Sequence, residues 1–86
     1  MLEEEFIANG ILIYPTPANR QVVITIPGLD SNVKLILMDA TGNVVGNQNL
    51  QSETSILDVS NMTNGLYLAK FEFKGKSITK RIVVMN

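Results

Sequence analysis

Hydrophobic and polar residues alternate with a period of two along most of this chain. Val22, Ile24 and Ile26 share one face of an extended segment, because successive side chains of a strand point to opposite faces. Val, Ile and Thr make up 23 of the 86 residues, and these β-branched side chains favour strands over helices. The same alternation recurs in three further segments, residues 33–39, 66–73 and 78–84. The pattern therefore predicts strands.

Turn-forming residues divide the chain into short segments. Asn-Gly, Pro-Gly, Gly-Asn and Lys-Gly-Lys clusters separate the alternating stretches, as expected for loops between strands. Seven strands fit between them, at about residues 11–14, 20–26, 33–39, 44–50, 55–58, 66–73 and 77–84. Seven short strands at this spacing predict an all-β fold, a single antiparallel β-sandwich of residues 11–86. Residues 1–10 are interpreted as a linker or a non-native remnant.

The composition excludes most catalytic chemistry. The chain contains no Cys and no His, which removes thiolate nucleophiles, imidazole bases and the usual zinc ligands. A net charge of −1 gives no overall field to attract nucleic acid or anionic lipid, and no apolar run is long enough to span a membrane. We therefore expect a folded protein that is not an enzyme and holds no cofactor or metal. No signal peptide follows Met1, so any export signal is expected elsewhere.

Two isolated carboxylates, Asp39 and Asp58, are the candidates for paired acid and base catalysis. Each lies at the end of a predicted strand, where an Asp usually accepts hydrogen bonds from turn N–H groups. The turn interpretation is therefore preferred for both. Residues 30–32 offer oxygen ligands but lack the alternating acids of a calcium loop, and they too are interpreted as a turn.

Charge is unevenly distributed along the chain. Residues 1–58 contain seven acidic and two basic residues, whereas residues 59–86 contain one acidic and five basic residues. One interpretation is ordinary solvated faces and cross-strand pairs, because the two halves interleave in a small sandwich. The other is that the basic C-terminal part forms a docking surface.

Pro15-Thr16-Pro17 follows the first predicted strand. Two prolines around one residue fix φ twice and remove two N–H donors, so the strand is expected to stop or kink there. One interpretation is an edge strand whose prolines prevent pairing with another chain. The other is a stiff segment that a partner protein reads.

Gly65 and Tyr67 begin the most aromatic strand. Their arrangement resembles a tyrosine corner, in which the phenol bonds back to the backbone a few residues upstream and closes the arch between two sheets. The sequence therefore predicts an architectural role for Tyr67.

Four blocks follow one another along residues 11–86. They are the Pro-x-Pro block at Pro15, Thr16 and Pro17, the Asp-x-x-Gly turn at Asp39 and Gly42, the Gly-x-Tyr block at Gly65 and Tyr67, and the basic last strand at Lys80 and Arg81. This order resembles the type A C-terminal sorting domain of the type IX secretion system. The family usually has Asn between the prolines and an aromatic residue before the Asp, where this chain has Thr16 and Met38.

The resemblance implies an immunoglobulin-like sandwich of about seven strands at the C-terminus of a larger exported protein. The parent would cross the inner membrane with its own signal peptide, and the domain would direct this fused cargo from the periplasm to the outer-membrane translocon. A surface sortase would then remove the domain, and the cargo would be anchored at the cell surface or released. Ala8, Asn9 and Gly10 form the candidate cleavage region, because this segment is expected to be exposed.

The last strand is expected to divide its two basic residues between opposite faces. Lys80 shares the core side with Ile82, where its stem can be covered, and Arg81 points the other way. The first and last strands are expected to be sheet edges, which would permit a weak homodimer.

An accessory β-sandwich module that binds carbohydrate or protein is the alternative. Sugar-binding modules usually display several exposed aromatic side chains, whereas Tyr67, Phe71 and Phe73 share a predicted core face. The alternation does not assign Phe6 or Tyr14 to the core face. A cluster of exposed aromatic side chains on one sheet would favour this alternative.

Overall fold

The computed structural model describes residues 10–29 and 31–86, which form seven β-strands. The bounds of β2 to β7 lie within one residue of the predicted ones, whereas β1 is longer than predicted. In these residues, no helix is long and apolar enough to cross a membrane. The strands are β1 Leu12–Asn19, β2 Gln21–Thr25, β3 Val33–Asp39, β4 Val44–Leu50, β5 Thr54–Asp58, β6 Gly65–Phe73 and β7 Lys76–Val84.

The strands form two sheets that share one core. The small sheet has the order β1-β2-β5, and the large sheet has the order β4-β3-β6-β7. Neighbours within each sheet are antiparallel. Strand β1 also pairs with β7, in parallel, and so joins the two sheets. The predicted all-β sandwich of seven strands is confirmed, with one parallel contact that the sequence did not indicate.

Strand β1 passes from one sheet to the other at its two prolines. Its first part, up to Tyr14, pairs with β2, and Ala18 then pairs with Val84 of β7. Pro15 and Pro17 lie between these points and have no N–H group to donate to a ladder. The pairing with β2 is interrupted here and resumes at Asn19, opposite Gln21. Within this gap Ala18 joins the large sheet.

Two expectations about sheet edges are wrong. Strand β1 is not a blunted edge strand, because it lies between β7 and β2. The first and last strands pair with each other, so the edges are β4 and β5 instead. The physical reason is that pairing between the two ends of the chain is a long-range contact, which local alternation of side chains does not encode.

The predicted inward faces form the core. Val22 and Ile24 of β2 are buried against Leu35 of β3 and Phe71 of β6 in one cluster. Phe71 is the largest side chain that is almost completely buried, so its truncation to Ala is expected to cost about 3 to 5 kcal/mol. The buried hydrophobic residues are Ile11, Ala18, Val22, Ile24, Ile26, Val33, Leu35, Leu37, Leu50, Val59, Tyr67, Ala69, Phe71, Phe73, Ile82 and Val84.

Candidate functional site

The strand register brings blocks that are distant in sequence to one end of the large sheet. Asp39, the last residue of β3, lies opposite Tyr67 of β6. Gly65 lies opposite Val84 of β7, and Val84 in turn lies opposite Ala18, which directly follows the Pro-x-Pro block. We call this end of the sandwich, marked by these five residues, the motif end. Three of the four sequence blocks therefore meet there.

The Asp-x-x-Gly block forms the tight turn between β3 and β4. Asp39 Oδ1 accepts hydrogen bonds from the Thr41 N–H at 2.9 Å, the Thr41 hydroxyl at 2.6 Å and the Asn43 N–H at 3.1 Å. Gly42 has a φ of 93°, a conformation that side chains rarely adopt. The turn interpretation of Asp39 is confirmed.

Hydrogen bonding to this carboxylate changes its titration. The bond from the Thr41 hydroxyl is the main cause that lowers the pKa of Asp39 below its ordinary value of 3.8, and the N–H groups of Asn43 and Thr41 act in the same direction. Asp58 is used in the same way, because its Oδ1 accepts a bond from the Ser60 N–H at 2.9 Å. Hydrogen bonds from Ser60 lower the pKa of Asp58 as well. Each carboxylate thus accepts hydrogen bonds from the turn that follows it.

Tyr67 forms the tyrosine corner that the sequence predicts. Its hydroxyl donates to the Thr63 carbonyl at 2.6 Å, and the ring lies in the core. The bond ties the loop before β6 to the strand itself. Tyr67 is therefore buried at the motif end, where its contacts are internal to the domain.

The Pro-x-Pro block presents two exposed prolines, Pro15 and Pro17, on β1. The Tyr14–Pro15 peptide bond is cis, and the Tyr14 hydroxyl lies 3.1 Å from the Thr25 hydroxyl of β2. The side chain of Thr16 lies outside what the structure describes. The block is both the crossing point between sheets and an accessible part of the surface.

The two basic residues of the last strand lie on opposite faces of the large sheet. Lys80 is half-buried on the inner side and lies opposite Ala69 of β6, whereas Arg81 is exposed on the outer side opposite Leu68. The structure does not bring these two residues together. A single docking face can contact Arg81 or Lys80 directly, but not both.

Asn86 is a further residue of the motif end, and the sequence analysis did not single it out. Its Oδ1 accepts from the Arg20 N–H at 2.9 Å, and its Nδ2 donates to the carbonyls of Val59 at 2.9 Å and Met62 at 3.1 Å. Its N–H donates to Asn64 Oδ1 at 2.7 Å. One side chain thus connects the β1–β2 turn with the β5–β6 loop. A lone Asn after the last strand belongs to no periodic pattern, so no signal pointed to it.

The candidate cleavage region lies largely outside the described residues. Ala8 and Asn9 are not described, and Gly10 is half-buried next to the buried Ile11. Because β1 runs from Leu12 towards the motif end, Gly10 lies at the opposite end of the sandwich. In residues 10–29 and 31–86, no group of three acidic residues is placed to hold a metal ion.

The fold defines the chain as a small all-β sandwich, and three of its four sequence blocks lie at one end. The chain matches the family described as "Secretion system C-terminal sorting domain" over residues 12–85. It belongs to this family, the C-terminal sorting domains of the type IX secretion system. The family consists of sorting signals rather than enzymes.

A solved structure shares this fold. It is PorZ, an essential bacterial surface component of the type-IX secretion system of Porphyromonas gingivalis, with a TM-score of 0.79 and 18% sequence identity. The similarity covers 98% of this chain and 12% of the PorZ chain. A comparison with curated proteins found no match.

Proposed function

We propose that this domain directs a larger fused cargo protein from the periplasm through the outer-membrane translocon of the type IX secretion system. The observation that carries the proposal is the convergence of the Pro-x-Pro, Asp-x-x-Gly and Gly-x-Tyr blocks at the motif end. Family membership over residues 12–85 supports it. The domain acts by being recognised, and it has no catalytic activity of its own.

We further propose that a surface sortase removes the domain and that the cargo is then anchored or released. Cleavage is assigned to the segment Ala8 to Gly10, before the first strand. The position of Gly10 at the end opposite the motif end supports this assignment, because a protease there would leave the motif end untouched. The domain is in this sense the substrate of an enzyme.

The placement of aromatic side chains supports the sorting function over a sugar-binding module. Tyr67, Phe71 and Phe73 are buried in the core. Among the described residues, Tyr14 is the one exposed aromatic side chain, and 48% of its surface is accessible. A sugar platform usually needs several such rings on one face, and the described residues do not provide them.

The test is a fusion of the whole 86-residue chain behind a periplasm-directed fluorescent protein. Fluorescence is measured in medium, cell surface and periplasm of a type IX-competent bacterium and of an isogenic secretion-deficient strain. Export that disappears in the deficient strain supports the proposal. Retention in the periplasm of both strains, with the domain folded, would contradict it.

A further inference from the structure

The outer face of the large sheet combines an apolar stripe with an exposed guanidinium. Met38 of β3 lies opposite Leu68 of β6, and Leu68 lies opposite Arg81 of β7. Leu66 and Val83 form the next row of the same face. We call these five residues the Arg81 patch. Arg81 is exposed, Leu66 is 39% exposed, and the other three are half-buried.

Positive charge is concentrated on this face. Lys34, Lys70 and Arg81 all point outward from the large sheet, together with a single acid, Glu72. Glu72 forms an ion pair with Lys70 at 3.4 Å, whereas Arg81 forms no ion pair within the described part of the chain. The whole chain has a net charge of −1, so the charge of this face does not follow from composition. It arises because the fold places Lys34, Lys70 and Arg81 on the same face of the large sheet.

The outer face of the small sheet provides the contrast. Tyr14, Val23 and Ile56 lie side by side across its three strands, and no charged side chain lies between them. Tyr14 and Ile56 are well exposed. Asp58 lies on the same face, opposite Gln21, and its carboxylate already accepts a hydrogen bond from the Ser60 N–H. The three strands of this sheet contain no Lys or Arg that could pair with an acidic partner.

We propose that the Arg81 patch is the face that docks onto the secretion machinery, and that its partner is an acidic protein surface. This inference rests on the proposed sorting function. A carboxylate of the partner pairs with the guanidinium of Arg81, a geometry that Arg favours. The apolar stripe beside it packs against the partner and shields that pair from water, as in the centre of many protein interfaces.

A protein surface fits this face better than an anionic lipid layer. Membrane-surface binding usually relies on clusters of four to eight cations, each contributing about 1 kcal/mol. This face has three cations, and one of them is already paired with Glu72. Its cations are also interleaved with Leu66 and Leu68 on a sheet, which requires a partner of matching shape.

Two matched pairs of variants test the proposal in the export assay. Arg81→Glu is paired with Lys76→Glu, which makes the same change in net charge near the β6–β7 turn, away from the patch. Leu66→Asp is paired with Ile56→Asp, which places the same charge on the small sheet, and Arg81→Lys is the conservative variant. The whole chain is used throughout, and circular dichroism of each purified chain checks that it folds.

Arg81→Glu and Leu66→Asp are expected to lower export by about tenfold or more, because they place like charge against the acidic partner. Lys76→Glu and Ile56→Asp should retain export. Arg81→Lys keeps the positive charge but loses the planar guanidinium geometry, so it should lower export less than Arg81→Glu. If the unaltered fusion is exported and the two patch variants are exported equally well, the docking face is wrong while the sorting function stands. If the unaltered fusion is not exported, the sorting function itself fails.

Two other results would also overturn the proposal. Loss of export in Ile56→Asp but not in Leu66→Asp would move docking to the small sheet. Co-sedimentation of the chain with vesicles of mixed neutral and acidic phospholipid, abolished by Arg81→Glu, would make the partner a lipid surface. Absence of such co-sedimentation, together with the export loss, supports an acidic protein partner.

Discussion

The two ends of the sandwich hold their loops through different sets of side chains. At the motif end, the side chains of Asp39, Tyr67 and Asn86 each bond to backbone groups of turns and loops. The opposite end carries the β6–β7 turn, with its lysines, and a loop contact in which Glu53 accepts from the Gly28 N–H at 2.7 Å. The comparison teaches that the motif residues first hold the domain together. We therefore expect substitutions of these three residues to act first on the stability of the domain.

Among the loop contacts at the two ends of the sandwich, the largest loss of stability is expected at Asn86. Asn86→Ala removes one acceptor and the amide donors that hold Val59 and Met62, so it should cost about 2 kcal/mol. The melting temperature should fall by roughly 10 °C. Asn86→Asp keeps the acceptor for the Arg20 N–H but turns a carboxylate oxygen towards the Val59 and Met62 carbonyls, so it should lose at least as much. Equal melting temperatures of the unaltered protein, Asn86→Ala and Asn86→Asp would show that the Asn86 side chain does not stabilise the motif end.

Tyr67→Phe should have the next largest effect. The substitution removes the hydroxyl that donates to the Thr63 carbonyl and leaves the ring in place. The expected cost is about 1 to 1.5 kcal/mol, measured by urea or thermal unfolding. Tyr14→Phe is the matched control, because its hydroxyl contacts Thr25 at an exposed position. If Tyr67→Phe unfolds like the unaltered protein, the corner contributes nothing to stability.

Acid should weaken the motif end through Asp39. Its folded-state pKa is lowered below 3.8, so the carboxylate stabilises the fold above this value and loses that effect as the pH falls through the folded pKa. Thermal unfolding between neutral and strongly acidic pH should therefore show a smaller acid-induced loss in Asp39→Asn than in the unaltered chain. Asp58→Asn should act in the same direction. If the pH dependence of Asp39→Asn equals that of the unaltered chain, the assignment to Asp39 is wrong.

Glu53→Gln at the opposite end should change stability little. The amide oxygen of Gln can still accept from the Gly28 N–H, so we expect a change within about 0.5 kcal/mol. Unfolding measured beside Asn86→Ala provides the direct comparison of the two ends. A loss as large as that of Asn86→Ala would mean that the ends do not differ in this respect.

The smallest effect concerns self-association. The prediction of a weak homodimer stays a prediction, but its site moves to the edge strands β4 and β5. Neither strand contains Lys or Pro, two residues that often protect edges from pairing. Light scattering at high concentration should detect a minor dimer that Asn47→Lys on β4 or Thr54→Lys on β5 reduces. Monomer alone at every concentration would rule it out.

Much of the fold follows from local sequence. The alternation around Leu35 and Phe71 identifies both the strands and their buried faces, because a period of two is a local property of extended chain. The turn at Asp39 and the corner at Tyr67 follow in the same way, since each depends on residues within four positions.

The parts that sequence reasoning missed depend on distant partners. Ala18 pairs with Val84, which lies more than sixty positions away, and this contact makes β1 a shared strand instead of an edge. Asn86 reaches Arg20 across a similar separation. Neither residue stands out locally, and their role arises only once both sheets are in place. The convergence of three blocks at the motif end was missed for the same reason.

The shared strand β1 also determines how the domain responds to mechanical tension from a cargo attached before residue 10. The strand runs from that end towards the motif end and pairs with β2 on one side and β7 on the other. If the motif end is held and the chain is pulled at residue 10, the force acts along β1, roughly at right angles to its hydrogen bonds. The bonds to both sheets then resist together and do not open one at a time. A domain built in this way can remain folded while a partner holds one end and the cargo pulls on the other.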